Sequence, residues 1–586
     1  TGAIDADSTS SISAGGNAIT LADAANDFTG AVSLSNTGAF DVSLRDANAL
    51  DLGTVGVGQG LTVTTGGTLS DSGVVSVSGL ATIVSTSQTV TLGDTTTANF
   101  GSLDFAGSTV TITENGDMVI AASEATGALT LTANGAISQT GRIDADNTSL
   151  FVNTGGVNDN VTLTAANDFT GAVSVTANDI GSDVSITDAN DLLIGSADVG
   201  SNLAFASTAG FINDATDDSA VDITAGGLIT LTAQGEIGVA AGFTNTNLEV
   251  ADGSRVDVSS STAGGIGLSS LGSIELVDVD TQDGAITVSA AGLIIATDVI
   301  SLGSTSDGIT FTTTKDGVVV TSLNSADTVT ISAAAGDVVA TSLTAADSAS
   351  ITATTGGVTA TSVTAGNDAT ITASGDVIGT SVTAADQVSL TTSLGDVTVG
   401  SITATAGTLG ITATTGSIND ATNDNLADLT AGGLITLTAE DEIGDHSTFA
   451  DKELELAAGS SVDATSTTVG AIRLDGLGAL TLTDVDTGNG IITVTATGAI
   501  TATDVTSITD DDSNDISLSG VGITAVLINA GSAGDVTLNA GTGAITQDGT
   551  DDKNDVTADV LIADATTGID LDTTIASADL SVSGTG

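Results

Sequence analysis

The chain has 586 residues, of which 73 are Gly, 40% are hydrophobic and 2% aromatic, with no Pro, Cys, Trp or Tyr. Seven Lys and Arg stand against 73 Asp and Glu, a net charge of −66 that repels nucleic acid and anionic lipid. That hydrophobic fraction excludes a charge-driven disordered chain, the lack of Cys excludes disulfides and thiolate metal sites, and no unbroken apolar run of about 20 residues predicts a membrane span.

Thr1 opens the chain without Met and without a basic segment followed by an apolar one. The expectation is a mature or excised part of a longer precursor, with the export signal outside it. In the first block, residues 1–211, alternation predicts strands. Along Thr109-Val110-Thr111-Ile112-Thr113 the apolar side chains point one way and the hydroxyls the other. Ala25–Ser33 returns as Ala166–Ser174 at an offset of 141, and Ile4–Asp7 returns as Ile143–Asp146 at 139, so two residues were absorbed between them, most simply at a corner. An outward Thr row such as 109, 111 and 113 can order water. Ice binding would require Thr-x-Thr in register on coil after coil, and along the chain Asp, Asn and Ser interrupt it.

The second block, residues 212–417, carries the clearest period. Thr321-Ser322-Leu323, Thr341-Ser342-Leu343, Thr361-Ser362-Val363 and Thr380-Ser381-Val382 stand at steps near 20. A β-rich unit this short buries no face alone and must stack on its neighbours. Strands of an antiparallel sandwich would instead recur every 8 to 12 residues, roughly. Helix is not predicted, since the one Ala-rich piece, Ala333-Ala334-Ala335, is cut off by Gly336. Ten of the eleven Phe precede residue 312, which predicts a wider coil in the first half of the chain than between 312 and 417.

The third block, residues 418–586, copies the second. Ile212–Thr216 returns as Ile418–Thr422, Ala225–Ala233 as Ala431–Ala439, Asp278–Thr281 as Asp484–Thr487 and Ala296–Val299 as Ala502–Val505, every pair at an offset of 206. A shift held without insertion over so long a stretch marks duplication of whole coils. The predicted fold is therefore all-β, an elongated right-handed parallel β-helix of about 20 residues per coil. At roughly 4.8 Å per stacked strand, about 29 coils would span about 140 Å.

Chemistry is sparse in this pattern. Asp217 with Asp218, Asp278 with Asp280, and Asp484 with Asp486 form close carboxylate pairs of the kind a glycosidase uses, but 73 acidic residues produce such pairs without selection. The basic residues, Arg45, Arg142, Arg255, Lys315, Lys452, Arg473 and Lys553, are scattered singly. His446 is the only histidine, Gly pairs such as Gly226-Gly227 precede strands rather than helices, and no aromatic sugar platform exists. The chain is expected not to be an enzyme. The densest oxygen clusters, Asp510-Asp511-Asp512 with Asp515 and Asp551-Asp552 with Asp555, are candidate Ca²⁺ ligands, although neither has the spacing of a known calcium loop.

Leu131–Gly141, Gly227–Ala233 and Leu538–Gln547 resemble the repeats of filamentous-haemagglutinin-type bacterial surface proteins. That resemblance implies a parallel β-helix in a large exported protein, secretion across the outer membrane, a fibrous shaft and adhesion. The family's amino-terminal secretion domain and a receptor-binding module are not recognisable here, and no reactive residue is carried over. The expected role is the structural shaft of an extracellular or cell-surface adhesin or fibre, partnered by other surface proteins, glycans or identical subunits, without membrane insertion. The alternative is a self-assembling, calcium-bridged surface-layer or filament subunit, a homo-oligomer or fibre.

Overall fold

The computed structural model describes residues 2–216, 218–239, 247–303, 307–422, 424–444, 453–549 and 553–584. By internal contacts the chain divides into two units, residues 1–290 and 291–586. Each is a right-handed parallel β-solenoid that advances by about 20 residues per turn. No helix is long and apolar enough to cross a membrane among the described residues.

The sequence period is a physical column. In the second unit Ser322 pairs with Ser342 and Leu323 with Leu343, which continues to Val363 and Val382. Two further columns fill the interior. One runs Val318, Val338, Val358, Val377, Val397; the other runs Ile331, Ile351, Ile371, Leu390, Ile411. These side chains are at most 1% exposed, so each contributes about 1.5–3 kcal/mol of burial. Like stacks on like because the coils are in register and each level offers the same cross-section.

The first unit follows the same rule with larger fillers. Val110, Ile112 and Glu114 of the strand Val110–Glu114 point inward while Thr111 and Thr113 face out. Phe28, Phe105, Phe151, Phe169 and Phe205 are buried there, and the rings of Phe151 and Phe169 meet edge to face at 5.8 Å. Corners between strands are built from Gly where backbone layers crowd. At Gly366 a Cβ would stand 1.9 Å from the Ala346 carbonyl oxygen, and Gly336 adopts φ +79°, a conformation L side chains rarely take.

One feature departs from an outward, solvated acidic skin. Several carboxylates end a strand on its inward side and are buried: Asp46, Glu114 and Asp188 are 0–2% exposed. A corner leaves backbone N–H groups without a ladder partner, and these side chains accept from them. Phe28 N–H donates to Asp46 at 3.2 Å, Phe100 N–H to Glu114 at 2.7 Å and Phe169 N–H to Asp188 at 3.1 Å.

Candidate functional site

Two deeper carboxylate groupings occur, one in each unit. In the first, Asp214 ends the strand Ile212–Asp214, Asp222 precedes Ile223–Ala225, and Glu249 is the middle residue of Leu248–Val250. In the second, Asp420 ends Ile418–Asp420, Asp428 precedes Leu429–Ala431, and Glu455 centres Leu454–Leu456. Each member of the second set is 206 residues beyond its counterpart, so the cluster was carried through the duplication. All six residues are at most 3% exposed.

The local bonding also repeats. Asp214 Oδ1 accepts from the Thr216 N–H at 2.7 Å and its hydroxyl at 2.9 Å; Asp420 Oδ1 does the same with Thr422 at 2.7 and 3.1 Å. Asp222 and Glu249 are joined by two backbone-anchored bonds, Glu249 N–H to Asp222 Oδ2 at 2.9 Å and Asp222 N–H to the Glu249 carbonyl at 3.0 Å. Asp428 and Glu455 reproduce both at the same lengths. In each set, carboxylate oxygens from all three residues lie within 4.8 Å of one another. Oxygens so grouped could coordinate a divalent cation, for which an all-carboxylate donor set is chemically suited. Loss of hydration raises the pKa of Asp222 and of Asp428, and the neighbouring negative charges, Asp214 for the first and Asp420 for the second, raise them further.

A third grouping, Asp484, Asp486 and Asp504, lies on the outer side of the second unit. Asp463 pairs directly with Asp484 on the adjacent coil, so like charges face each other across the ladder. Burial, then the charges of Asp484 and Asp504, push Asp486 up to about 6. In the preceding block Asp257 pairs with Asp278 in the same way, and desolvation followed by the Asp278 charge raises its pKa.

Of the residues singled out along the sequence, Asp484 and Asp486 are brought together, with Asp504 as an added member. Asp510, Asp511, Asp512, Asp515 and Asp555 belong to none of the three groupings found among the described residues. Asp510 accepts from the Ser532 hydroxyl and the Ala533 N–H, both at 2.7 Å, and Asp511 accepts from the N–H and hydroxyl of Ser513 at 3.0 and 2.7 Å. Those bonds hold both carboxyls below their ordinary values. Asp512 is exposed, Asp515 accepts from the Asp535 N–H at 3.0 Å, and Asp555 is buried and accepts from the Asp572 N–H at 2.8 Å. Asp217, His446, Lys452, Asp551 and Asp552 lie outside the described residues. The buried triads went unrecognised in the sequence. Their signal was the recurrence of Asp214, Asp222 and Glu249 at 206 among apolar strand residues.

Comparison with known families finds one match: the repeats of unknown function designated DUF5649 are similar to residues 1–35, 39–103 and 107–176, under a third of the chain. No curated protein and no solved structure is significantly similar to it.

Proposed function

We propose that the chain is a non-catalytic structural shaft of an extracellular bacterial adhesin or surface fibre. The observation that carries this reading is the parallel coil-on-coil stacking, which in the second unit superposes like aliphatic residues without a register shift from Val318 to Ala413. A solenoid of this kind resists local opening because every coil is hydrogen-bonded on both sides, and its mechanism is to hold something at a distance. The resemblance to filamentous-haemagglutinin-type repeats supports export to the cell surface, with surface proteins, glycans or identical subunits as partners. Electron microscopy of the purified chain tests it: single rods of uniform width support the shaft, and globular particles overturn it.

A second reading is favoured by the duplicated buried triads and the stacked aspartates around Asp484. Ca²⁺ held in the buried triads offsets part of the charge of −66 within the chain, and Ca²⁺ on the outer aspartates around Asp484 joins subunits into a filament or lattice. Fibres or sheets that form with Ca²⁺ and disperse on chelation support this assembly; rods indifferent to both leave the shaft alone standing.

A further inference from the structure

Over seven coils the second unit presents a side whose outward strand residues carry no charge. It is formed by the central outward residues of one strand from each of seven consecutive coils, from Ile309–Thr313 through Val329–Ala333, Ala349–Ala353, Ala369–Ala373, Val388–Thr392 and Leu409–Ala413 to Leu434–Ala439. Each strand contributes two outward positions. The pairings superpose them in two straight files, one from Thr310 to Thr436 and one from Thr312 to Thr438, with no register shift at any of the six steps. Thirteen of these fourteen positions carry a Thr or Ser hydroxyl and the other is Gly410. At the next step Thr436 pairs with Asp463 and the neutral surface ends.

Three further observations define what this side can take. None of the thirteen hydroxyls has a hydrogen-bond partner in the protein among the described residues, whereas the corner residues Thr313 and Thr392 donate theirs to backbone carbonyls. The acids of the same coils are held at the corners: Asp337, Asp368, Asp376 and Asp396 each accept a backbone N–H from the following coil at 2.8–3.0 Å. The files form a lattice of roughly 4.8 Å along the stack by ~6.6 Å along the strand, fixed by backbone geometry rather than by side-chain packing.

We propose that this face binds ice. A neutral lattice offers nothing to a cation or to a charged polymer. On this face a glycan would find no aromatic platform, and a protein partner would need apolar or aromatic anchors that two files of hydroxyls do not supply. Each hydroxyl donates one hydrogen bond and accepts two, which suits water. Liquid water must be immobilised to occupy a fixed two-dimensional array, at a cost in entropy; a solid water surface has already lost that freedom. At ten of the thirteen positions Thr adds a methyl group beside the hydroxyl; the other three are Ser332, Ser350 and Ser389. The one gap in the files is at Gly410, beside a shallow cavity of about 200 Å³ bordered by Ser389 and Thr436.

The gap makes the proposal testable in both directions. A Cβ at Gly410 would meet nothing within 4 Å, so Gly410→Thr completes the file without strain. Thr370 and Thr372 are exposed at the middle of the array, and Thr341, exposed on the strand Val338–Ala345, lies on a different side. The full chain, Gly410→Thr, Thr370→Lys/Thr372→Lys and Thr341→Lys are compared for incorporation into slowly growing ice and for thermal hysteresis, with circular dichroism confirming equal β content. The expected result is incorporation of the parent chain, at least a tenfold loss in the double Lys variant, no change in Thr341→Lys and a gain in Gly410→Thr. Exclusion of the parent chain from ice overturns the proposal, as does equal loss in Thr341→Lys. Sedimentation is run in parallel: a dimer of the parent chain that the double Lys variant abolishes, without ice incorporation, would assign the face to a second copy instead.

Discussion

Glu114 offers the sharpest test of the buried-acid corners. It is 2% exposed, Oε1 accepts from Phe100 N–H at 2.7 Å, and Oε2 has no partner among the described residues. Burial, opposed by that backbone bond and reinforced by the Asp117 charge, pushes its carboxyl from 4.5 up to about 7. The folded state therefore binds a proton more tightly than the unfolded state does. Stability from this group is fully present below about pH 4.5 and is lost as pH rises through about 7, a difference of about 3 kcal/mol. Glu114→Gln retains an acceptor for Phe100 and cannot ionise. Its amide adds a penalty of about 1–3 kcal/mol if its N–H groups find no acceptor, but that penalty is independent of pH. The diagnostic is therefore the change between pH 4.5 and 8 in the stability gap between the two proteins. Native-state hydrogen exchange at the Phe100 amide reads it locally, and the intrinsic exchange rate cancels when the same amide is compared at each pH. We expect the gap to move by about 3 kcal/mol in favour of the variant at the alkaline end. A movement below about 1 kcal/mol would show that Glu114 is hydrated or paired in solution and would refute the reasoning.

At the triads the raised carboxyls of Asp222 and Asp428 make cation binding compete with protons, so Ca²⁺ at 100 times its Kd should stabilise by about 2.7 kcal/mol at pH 8 and by clearly less at pH 5. Calorimetric titration should lose one site in Asp222→Asn or in Asp428→Asn and two in the pair. Gly366→Ala should cost about 2–3 kcal/mol, read as proteolysis of its coil, because its Cβ meets the Ala346 carbonyl at 1.9 Å; Gly410→Ala, with open space, should stay within about 0.5 kcal/mol. Deleting residues 341–360 removes one coil and brings Thr361 into the place of Thr341, so β content per residue and the melting midpoint should hold. Deleting Thr352 alone turns Ala353 outward and Thr354 inward, and circular dichroism with limited proteolysis should show that coil lost.

What was legible in the sequence and what was not divide along one geometric line. Strand polarity was local: Val110-Thr111-Ile112-Thr113 shows its two faces within four residues, and the Thr-Ser-Leu mark at Leu323 and Leu343 shows the stacking because the same column repeats its own residue type. The alternation even places Glu114 inward, as it does Asp46 after Val42-Ser43-Leu44-Arg45, but an acid at that point reads equally well as the first residue of a turn. Only the direction of the corner decides, and that depends on the coil above. The register of the hydroxyl array was hidden along the chain for a related reason. Ser and Asp between Thr residues look like interruptions along the chain, whereas in space Ser350 and Ser389 continue a file and the aspartates stand aside at the corners.

Density along the chain misleads most about ligands. Asp510, Asp511 and Asp512 are adjacent in sequence, yet two of them are engaged in shaping their own turn and the coil that follows. Asp463, Asp484 and Asp504 stand 21 and 20 residues apart, and here the first pair meets directly and the last two join Asp486. In a solenoid the neighbours of a residue are the ones a coil away, so charge gathers at the period of the fold. The buried triads stretch that rule further. From Ile223 to Val250 the coil takes 27 residues rather than about 20, so Asp222 and Glu249 fall outside any window set by the regular repeat. What makes them visible is the larger period: both irregular coils, with all three acids, return 206 residues on. A buried carboxylate is costly unless its oxygens are bonded, and in both copies the bonds from Thr216 and Glu249, and from Thr422 and Glu455, offset part of that cost.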